Sequence, residues 1–523
     1  MTGYDEMIDG LRLPIAYPHP VAGVEHIETH ISHVFLAGDY AYKIKKPVNL
    51  GFLDFSTLER RHFFCREELR LNARLAPRLY LEVVPVTGSQ EAPRLGGVGR
   101  AFEYAVKMRR FDQTGLLSTR PLEDDLPERV AERVAAFHAA IPAVGEDQAF
   151  GTAEAVLGPM LANFEAIRSR SMDEVILNRL ESLEAWTRNR HADLVPTLSQ
   201  RRAEGFVREC HGDMHRGNIA LVEGEILIFD GIEFNPALRW IDVQSELAFL
   251  LMDLEEAGER GPTRRLLNRY LELTGDYAGL RVLNFYQVYR AMVRAKVRAI
   301  RLSQPDLAPE DVERDRRALV DYLTLAEGFT QPRHPCLCLI HGVSGSGKSR
   351  LALGLRARLP LIHLRSDIER KRLFGLTAEA RTHPGKVSGG IYAADAGERT
   401  YGRLLELAGT LLDAGCSPLV DATFLRGIQR APFLNLARAK GLTCRTLACD
   451  APVEVLRKRI NQRAEAGVDP SEAGIEVLEA QLAIREPLAT VELALTIPVD
   501  TTQPECLEKA AQVLGLACHW RKA

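Results

Sequence analysis

The sequence predicts a multidomain chain, α+β in its first part and parallel α/β in its last. Three observations predict it. Residues up to about 110 read as short strands punctuated by turns, residues from about 111 to 330 read as long helices, and beyond 335 apolar strands alternate with helices, the sign of a parallel sheet with crossover connections. A chain of 523 residues, 46% of them hydrophobic, is too long for one ordinary domain and apolar enough to bury more than one core. The stretch 328–335 carries two prolines and no periodicity, so the boundary is expected there, between a domain at 1–330 and a domain at 335–523.

Composition narrows the function. A formal net charge of −3 provides no global field for a polyanion, so a nucleic acid or an acidic membrane would need a local basic patch. Nine cysteines, an odd and scattered number with no C-x-x-C pair, read as reduced thiols. The N-terminus has acidic residues where a secretory leader needs basic ones, and no run approaches eighteen apolar residues. The expectation is a soluble, cytoplasmic protein without a membrane partner.

In the first part, 33–46 reads as a hairpin turning at Gly38-Asp39. Its second strand places Ala41, Lys43 and Lys45 on one face by the two-residue period, where a lysine could meet a nucleotide phosphate. Helical spacing follows at 58–72, with Phe64, Leu69 and Leu71 available to face inward and Glu67 and Glu68 at mid-helix, either able to orient the strand lysine. Strands are expected at 81–85 and 102–108, then helices at 126–140 and 160–189. Within the helical part lies Cys210-His-Gly-Asp-Met-His-Arg-Gly-Asn218, followed by the apolar run Ile226-Leu-Ile-Phe-Asp230. His211-x-Asp213-x-x-x-x-Asn218 has the spacing of a kinase catalytic loop, in which the aspartate takes a proton from an acceptor hydroxyl and the asparagine holds Mg²⁺. Asp230, closing the next strand, suits a second metal carboxylate. The basic run 286–303, with Arg290, Arg294, Lys296, Arg298 and Arg301, reads foremost as a solvated helix face.

The last part opens on an apolar strand, 337–341, that runs into Gly342-Val-Ser344-Gly345-Ser346-Gly347-Lys348-Ser349. This is Walker A spacing: glycines let backbone N–H groups face phosphate oxygens, a helix N-terminus adds its positive end, Lys348 neutralises β/γ charge and Ser349 ligates Mg²⁺. Further strands are expected at 361–364, 418–421 and 444–448. Ligands bind beyond the carboxyl ends of such strands, so Lys348, Asp367 and Asp421 should converge. Asp367 could accept a hydroxyl proton, and Asp421 could hold the Mg²⁺ water shell. The helix at 453–463 puts Leu456 and Ile460 on one face and Arg459 and Arg463 on another, where arginines of a lid would meet a phosphoryl group in transfer.

Two resemblances follow from these motifs. The segment His211 to Asn218 with Ile228-Phe-Asp230 resembles the aminoglycoside phosphotransferase and choline kinase group, over roughly 25–330, and implies a two-lobed protein-kinase-like fold with an N-terminal lobe to about 110. It implies Asp213 as catalytic base, Asn218 and Asp230 as Mg²⁺ ligands, Lys43 (or Lys45) at the nucleotide phosphates and Glu68 (or Glu67) as its partner, with Asp242 tying down the catalytic region. Asp230-Gly-Ile stands where that group's relatives among protein kinases carry Asp-Phe-Gly, and no glycine-rich phosphate-covering loop precedes Lys43. From about 335 to 500 the chain is similar to P-loop kinases of the polynucleotide kinase and zeta-toxin type. That similarity implies Asp367 as base, Arg370 at acceptor or phosphate, Thr423 and Arg426 on the acceptor side, and Arg459 and Arg463 in the lid. The pairing resembles a bacterial family of two-domain predicted kinases. The expected cofactors are ATP or GTP with Mg²⁺, and the expected partner is a hydroxyl-bearing small molecule, nucleotide or nucleic-acid end. Two other readings stay open: catalysis by the P-loop domain alone, and a nucleotide-dependent switch acting on a protein partner.

Overall fold

Alternating burial along 32–45 produces the hairpin that the sequence predicts: β2 (Ser32–Ala37) and β3 (Tyr40–Lys45), after β1 (Val24–Glu28), turn at Gly38, whose φ of +58° is the left-handed conformation that two-residue hairpins require. The computed structural model describes residues 3–51, 53–304, 307–377, 380, 394–466 and 474–518. Helix α1 (Gly3–Leu11) precedes this hairpin, and α2 (Leu58–Asn72), β4 (Tyr80–Gly88), β5 (Pro93–Leu95) and β6 (Glu103–Arg109) follow it. The six strands form one antiparallel sheet in the order β1-β2-β3-β6-β4-β5, with Phe35, Tyr42, Ile44, Val86 and Ala105 packed on Met7 and Leu11. Thr57 caps α2 by accepting from Arg60 N–H. Arg61, Cys65, Glu68, Leu71 and Asn72 are its buried residues, whereas Phe64 and Leu69 are only half-buried.

The helical part comprises α3 (Leu126–Ala140), α4 (Ala153–Arg168), α5 (Glu174–Ala203), α6 (Pro236–Arg239), α7 (Val243–Glu256), α8 (Arg260–Thr274), α9 (Leu280–Leu302) and α10 (Pro309–Thr330). Short strands β7 (Val207–Glu209) and β10 (Trp240–Asp242) pair, as do β8 (Ile219–Val222) and β9 (Glu225–Ile228). One core holds Phe164, Leu180, Phe249, Met292, Leu319 and Tyr322. The helix expected at 160–189 is two helices, because Thr152 and Asp173 each cap a new start.

The last part is a parallel sheet, ordered β12-β13-β11-β14-β15, of β11 (Cys336–His341), β12 (Leu361–Arg365), β13 (Ser417–Asp421), β14 (Thr443–Asp450) and β15 (Thr496–Asp500). Helices α11 (Lys348–Arg358), α12 (Ser366–Leu373), α13 (Ala394–Asp413), α14 (Gly427–Ala439), α15 (Val453–Ala466), α16 (Ile475–Ile484), α17 (Thr490–Leu493) and α18 (Cys506–Ala517) connect and cover it. β15 escaped the sequence reading: it is partly exposed and carries Pro498 in an edge position, so it lacks the apolar run that marks the central strands.

Compact packing does not follow the single break near 330. One unit gathers 1–123, 136–257 and 285–329, and the other gathers 124–135, 258–284 and 330–523. Helix α8 therefore packs with the parallel sheet. The expectation of reduced cysteines also needs correcting: Cys336, opening β11, and Cys518, just past α18, are joined in a disulfide with Cα atoms 5.8 Å apart, while the other seven are free. A sequence separation of 182 gave no hint that these two ends meet in one core.

Candidate active sites

In the first unit, strand alternation and a helix bring three charges together. Lys43 Nζ lies 2.9 Å from Glu68 Oε1 of α2 and 2.6 Å from Asp230 Oδ1. Lys45, one pleat further on the same face, lies 2.7 Å from Glu68 Oε2 and pairs with Glu233. This separates the alternatives that the sequence left open. Lys43 reaches the half-exposed Asp230, Lys45 is sealed away with Glu233, and Glu67 turns to Arg70 at 2.9 Å and Arg239 at 3.6 Å. Burial would raise the Glu68 carboxyl, but the two ammonium groups hold it down at about 2. Burial and the neighbouring Glu68 push Glu233 up. Glu233 was missed; its only sequence signal is an acid three residues after Asp230.

Asp230 itself has φ +61°, rare for a residue with a side chain, and its N–H donates to Tyr80 Oη at 3.1 Å. The β8/β9 register sets it beside Asn218: Phe229 N–H donates to Asn218 O at 3.0 Å, so residues 218 and 230 leave the open end of that hairpin together. Asn218 Nδ2 donates to Asp213 O at 3.0 Å and to Asp213 Oδ2 at 3.2 Å, turning its amide oxygen away from that carboxylate. An amide oxygen and a half-exposed carboxylate are the hard oxygen donors that suit Mg²⁺.

The loop bearing Asp213 is braced from every side. Its N–H donates to His211 Nδ1 at 3.3 Å, His211 Nε2 sits 2.9 Å from Phe229 O, and His215 Nε2 is 3.5 Å from Asp213 Oδ2. Burial would raise the Asp213 carboxyl, yet His215, His211 and Arg294 hold it at about 2, so it stays ionised as a base must. Glu246 accepts the N–H groups of His211 and Gly212, each at 2.7 Å, and meets His138 Nε2 at 2.9 Å. The sequence reading gave this bracing to Asp242. Asp242 instead pairs with Arg201 at 2.7 Å and caps α7 through Gln244 N–H at 2.8 Å; one helical turn on, Glu246 reaches the loop. The basic run of α9 is likewise turned inward: Arg290 donates to Gly212 O at 3.1 Å, Arg294 to Tyr322 Oη at 3.3 Å, and Arg298 to Asp315 at 3.0 Å.

In the second unit the phosphate loop follows β11 directly. Gly345 has φ +79°, and a Cβ there would stand 2.8 Å from Leu456 O; Gly347, with φ +86°, caps α11. Ser344 N–H donates to Gln481 Oε1 at 2.7 Å, and Lys348 Nζ donates to Val343 O at 2.8 Å. Ser346 Oγ is buried and has no hydrogen-bond partner among the described residues. A glycine-lined cradle with an unsatisfied hydroxyl and a lysine fits a phosphate chain. Ser349 lies in the first turn of α11.

Parallel pairing aligns Ile340 with Asp421 and Asp421 with Arg365, so the ends of three strands come together as the sequence reading required. Asp421, buried, takes a hydrogen bond from His363 Nε2 at 3.3 Å; that bond keeps its carboxyl low against the opposing effect of burial. Burial lowers Lys348, and Arg463 is near enough to add to that effect. Asp367 opens α12 with Arg370 3.8 Å away. Thr423 Oγ1 is 3.2 Å from Tyr401 Oη, and Arg426 caps α14. Arg459 is tied to the loop itself, donating to Gly345 O at 3.3 Å and to Thr501 Oγ1 at 2.8 Å. His363, Tyr401, Gln481 and Thr501 were not anticipated. Each sits in an unremarkable sequence context and acquires meaning only through packing.

A lysine held between carboxylates beside an Asp/Asn loop, and a second lysine in a glycine-rich phosphate loop, define an ATP-dependent kinase. The family models agree: residues 55–283 match the phosphotransferase enzyme family and residues 337–488 match an AAA domain. The chain belongs to the two-domain kinase family of Rv2004c from Mycobacterium tuberculosis (strain H37Rv) and Mb2027c from Mycobacterium bovis, being 32% identical to each over 469 residues, 86% of this chain and 89% of theirs. Among solved structures it is similar to a choline/ethanolamine kinase family protein from Mesorhizobium loti (15% identity, 62% of this chain and 99% of that one, TM-score 0.33). It is also similar to a putative kinase from Chloroflexus aurantiacus (22%, 35% and 99%, TM-score 0.29). Among the described residues no helix is long and apolar enough to cross a membrane.

Proposed function

We propose that the chain is bifunctional, each unit moving the γ-phosphoryl group of ATP to a hydroxyl with Mg²⁺. In the first, Asp213 takes the acceptor proton, Lys43 steadies the phosphates, Glu68 orients Lys43, and Asn218 and Asp230 hold the metal. Its acceptor class is a small polar alcohol or amino sugar. In the second, Lys348 and the amides from Ser344 to Gly347 hold the phosphates, Ser349 and Asp421 serve Mg²⁺ and its waters, and Asp367 takes the proton. Arg370, Thr423 and Arg426 face the acceptor, while Arg459 and Arg463 offset charge on the group in transfer. Its acceptor is a nucleic-acid 5′-hydroxyl, a nucleoside or a sugar nucleotide. Held by Asn218 and Asp230 in the first unit and by Ser349 and Asp421 in the second, Mg²⁺ would neutralise charge on the phosphates.

The observation that carries this reading is the meeting of Lys43, Glu68 and Asp230, drawn from β3, α2 and the end of β9, at a lysine-carboxylate cluster beside Asp213. Incubating the protein with γ-labelled ATP and fractionated cell metabolites tests it. Two labelled products are expected, one lost in D213A and the other in K348A. A second reading, with only the P-loop unit catalytic, draws on the contact between Asp230 and Lys43, which engages the metal carboxylate with a cation. D213A without effect on any product would favour it.

A further inference from the structure

Strand β12 is an edge of the parallel sheet, and an edge strand leaves a row of N–H and C=O groups without strand partners. On β12 two groups of that row are met by one side chain. Asn268 of α8, itself 1% exposed, accepts the His363 N–H through Oδ1 at 2.7 Å and donates through Nδ2 to Leu361 O at 3.0 Å. One amide thus makes the two bonds that a neighbouring strand would have made. The helix carrying it is built into this unit by a second set of contacts: Glu272, one turn on, pairs with Arg356 of α11 at 2.9 Å, and Arg372 of α12 donates to the Glu272 carbonyl at 2.6 Å.

What Asn268 fixes is the backbone of the residue that touches Asp421. The His363 imidazole is buried, and its Nε2 donates to Asp421 Oδ2 at 3.3 Å. Among the described residues its Nδ1 has no hydrogen-bond partner, so the bond to Asp421 is the one polar contact that orients the ring. With Oδ2 engaged by His363, Oδ1 of Asp421 is the oxygen left for a metal or its waters.

We infer that Asn268 and His363 are positioning residues for the metal-binding carboxylate Asp421 of the P-loop site. This rests on the proposed role of Asp421. It also means that a helix lying inside the stretch matched by the phosphotransferase family model, 55–283, completes the site of the other kinase.

The test uses the full chain and a fluorescent ADP analogue, followed with and without Mg²⁺, taking the component of binding that K348A removes. In H363L the Mg²⁺ concentration needed for half-maximal tightening is expected to rise about 10-fold, the usual cost of losing a residue behind a metal ligand, while metal-free affinity is unchanged. H363Q, whose Nε2 can occupy the position of the imidazole Nε2, restores the wild-type requirement. N268A shifts it in the same direction by roughly 3-fold, because the ring keeps its bond to Asp421 but loses its backbone anchor. An H363L protein whose Mg²⁺ requirement stays at the wild-type value overturns the inference, as does an equal loss of metal-free and metal-bound affinity. Should H363L not fold, N268A carries the same test, and an unchanged Mg²⁺ requirement there is the overturning result. If the wild-type chain shows no component removed by K348A, the P-loop reading itself falls, an outcome distinct from a wild-type site indifferent to His363.

Discussion

Lys43 and Lys348 are assigned the same task and are held in opposite ways. Lys43 meets two carboxylates, Glu68 and Asp230, with Lys45 and Glu233 extending the cluster; Lys348 donates to the carbonyl of Val343, beside a buried Ser346 hydroxyl that has no partner among the described residues. A polyanion entering the first site must compete with ion pairs already made, whereas at the second it competes with neutral acceptors, the Val343 carbonyl and the Gln481 amide oxygen, and satisfies the Ser346 hydroxyl. The nucleotide is therefore expected to bind more tightly at the P-loop, and the first site to depend more on Mg²⁺ to draw Asp230 from Lys43.

Breaking either half of this comparison should leave the other standing. The largest effect is expected from D213A: loss of a general base costs up to about 10⁴-fold in turnover at the first site, measured on its own labelled product, with the second product unchanged. K348A should cost the second site about 10³-fold, the scale of removing a preorganised donor to developing charge, with the first unchanged. E68A should act chiefly on stability, because it leaves Lys43 and Lys45 buried with half their partners; about 3–5 kcal/mol is expected in a denaturant titration of the first unit's transition. C336S, which opens the disulfide in the second unit, should cost about 2–4 kcal/mol and leave the first unit's transition in place.

The smallest and most specific effect is on pH. The Glu68 carboxyl is held at about 2 against an ordinary 4.5, so its ion pairs contribute fully above pH 4.5 and are lost as the pH falls from there toward 2. The first unit's melting temperature should drop through that window in the wild type and fall less steeply in E68Q. A parallel slope in both proteins would break this part of the account.

Most of the fold was legible because its signals are local. The two-residue period of Tyr40 to Lys45, the helix at 58–72 and the glycine spacing from Gly342 to Gly347 each state their own conformation. Asp213, Asn218, Asp230, Lys348 and Asp421 were singled out for the same reason: they stand at motif spacings, in loops and at strand ends. What stayed hidden depends on long-range packing. Glu246 rather than Asp242 braces the Asp213 loop because of where one turn of α7 points, and α9 looked solvated because its arginines find carbonyls, Tyr322 and Asp315 that only the fold brings near. His363 and Asn268 are polar residues 95 positions apart that carry no motif, and α8 packs with the parallel sheet although it precedes it by some sixty residues in the chain.

The central claim is that one polypeptide holds two nucleotide sites. Calorimetric titration of the full chain with a non-hydrolysable ATP analogue and Mg²⁺ tests it most directly: two equivalents per chain are expected, falling to one in D230A and to one, of the weaker class, in K348A. A wild-type stoichiometry of one, or loss of both sites through either single change, would contradict it.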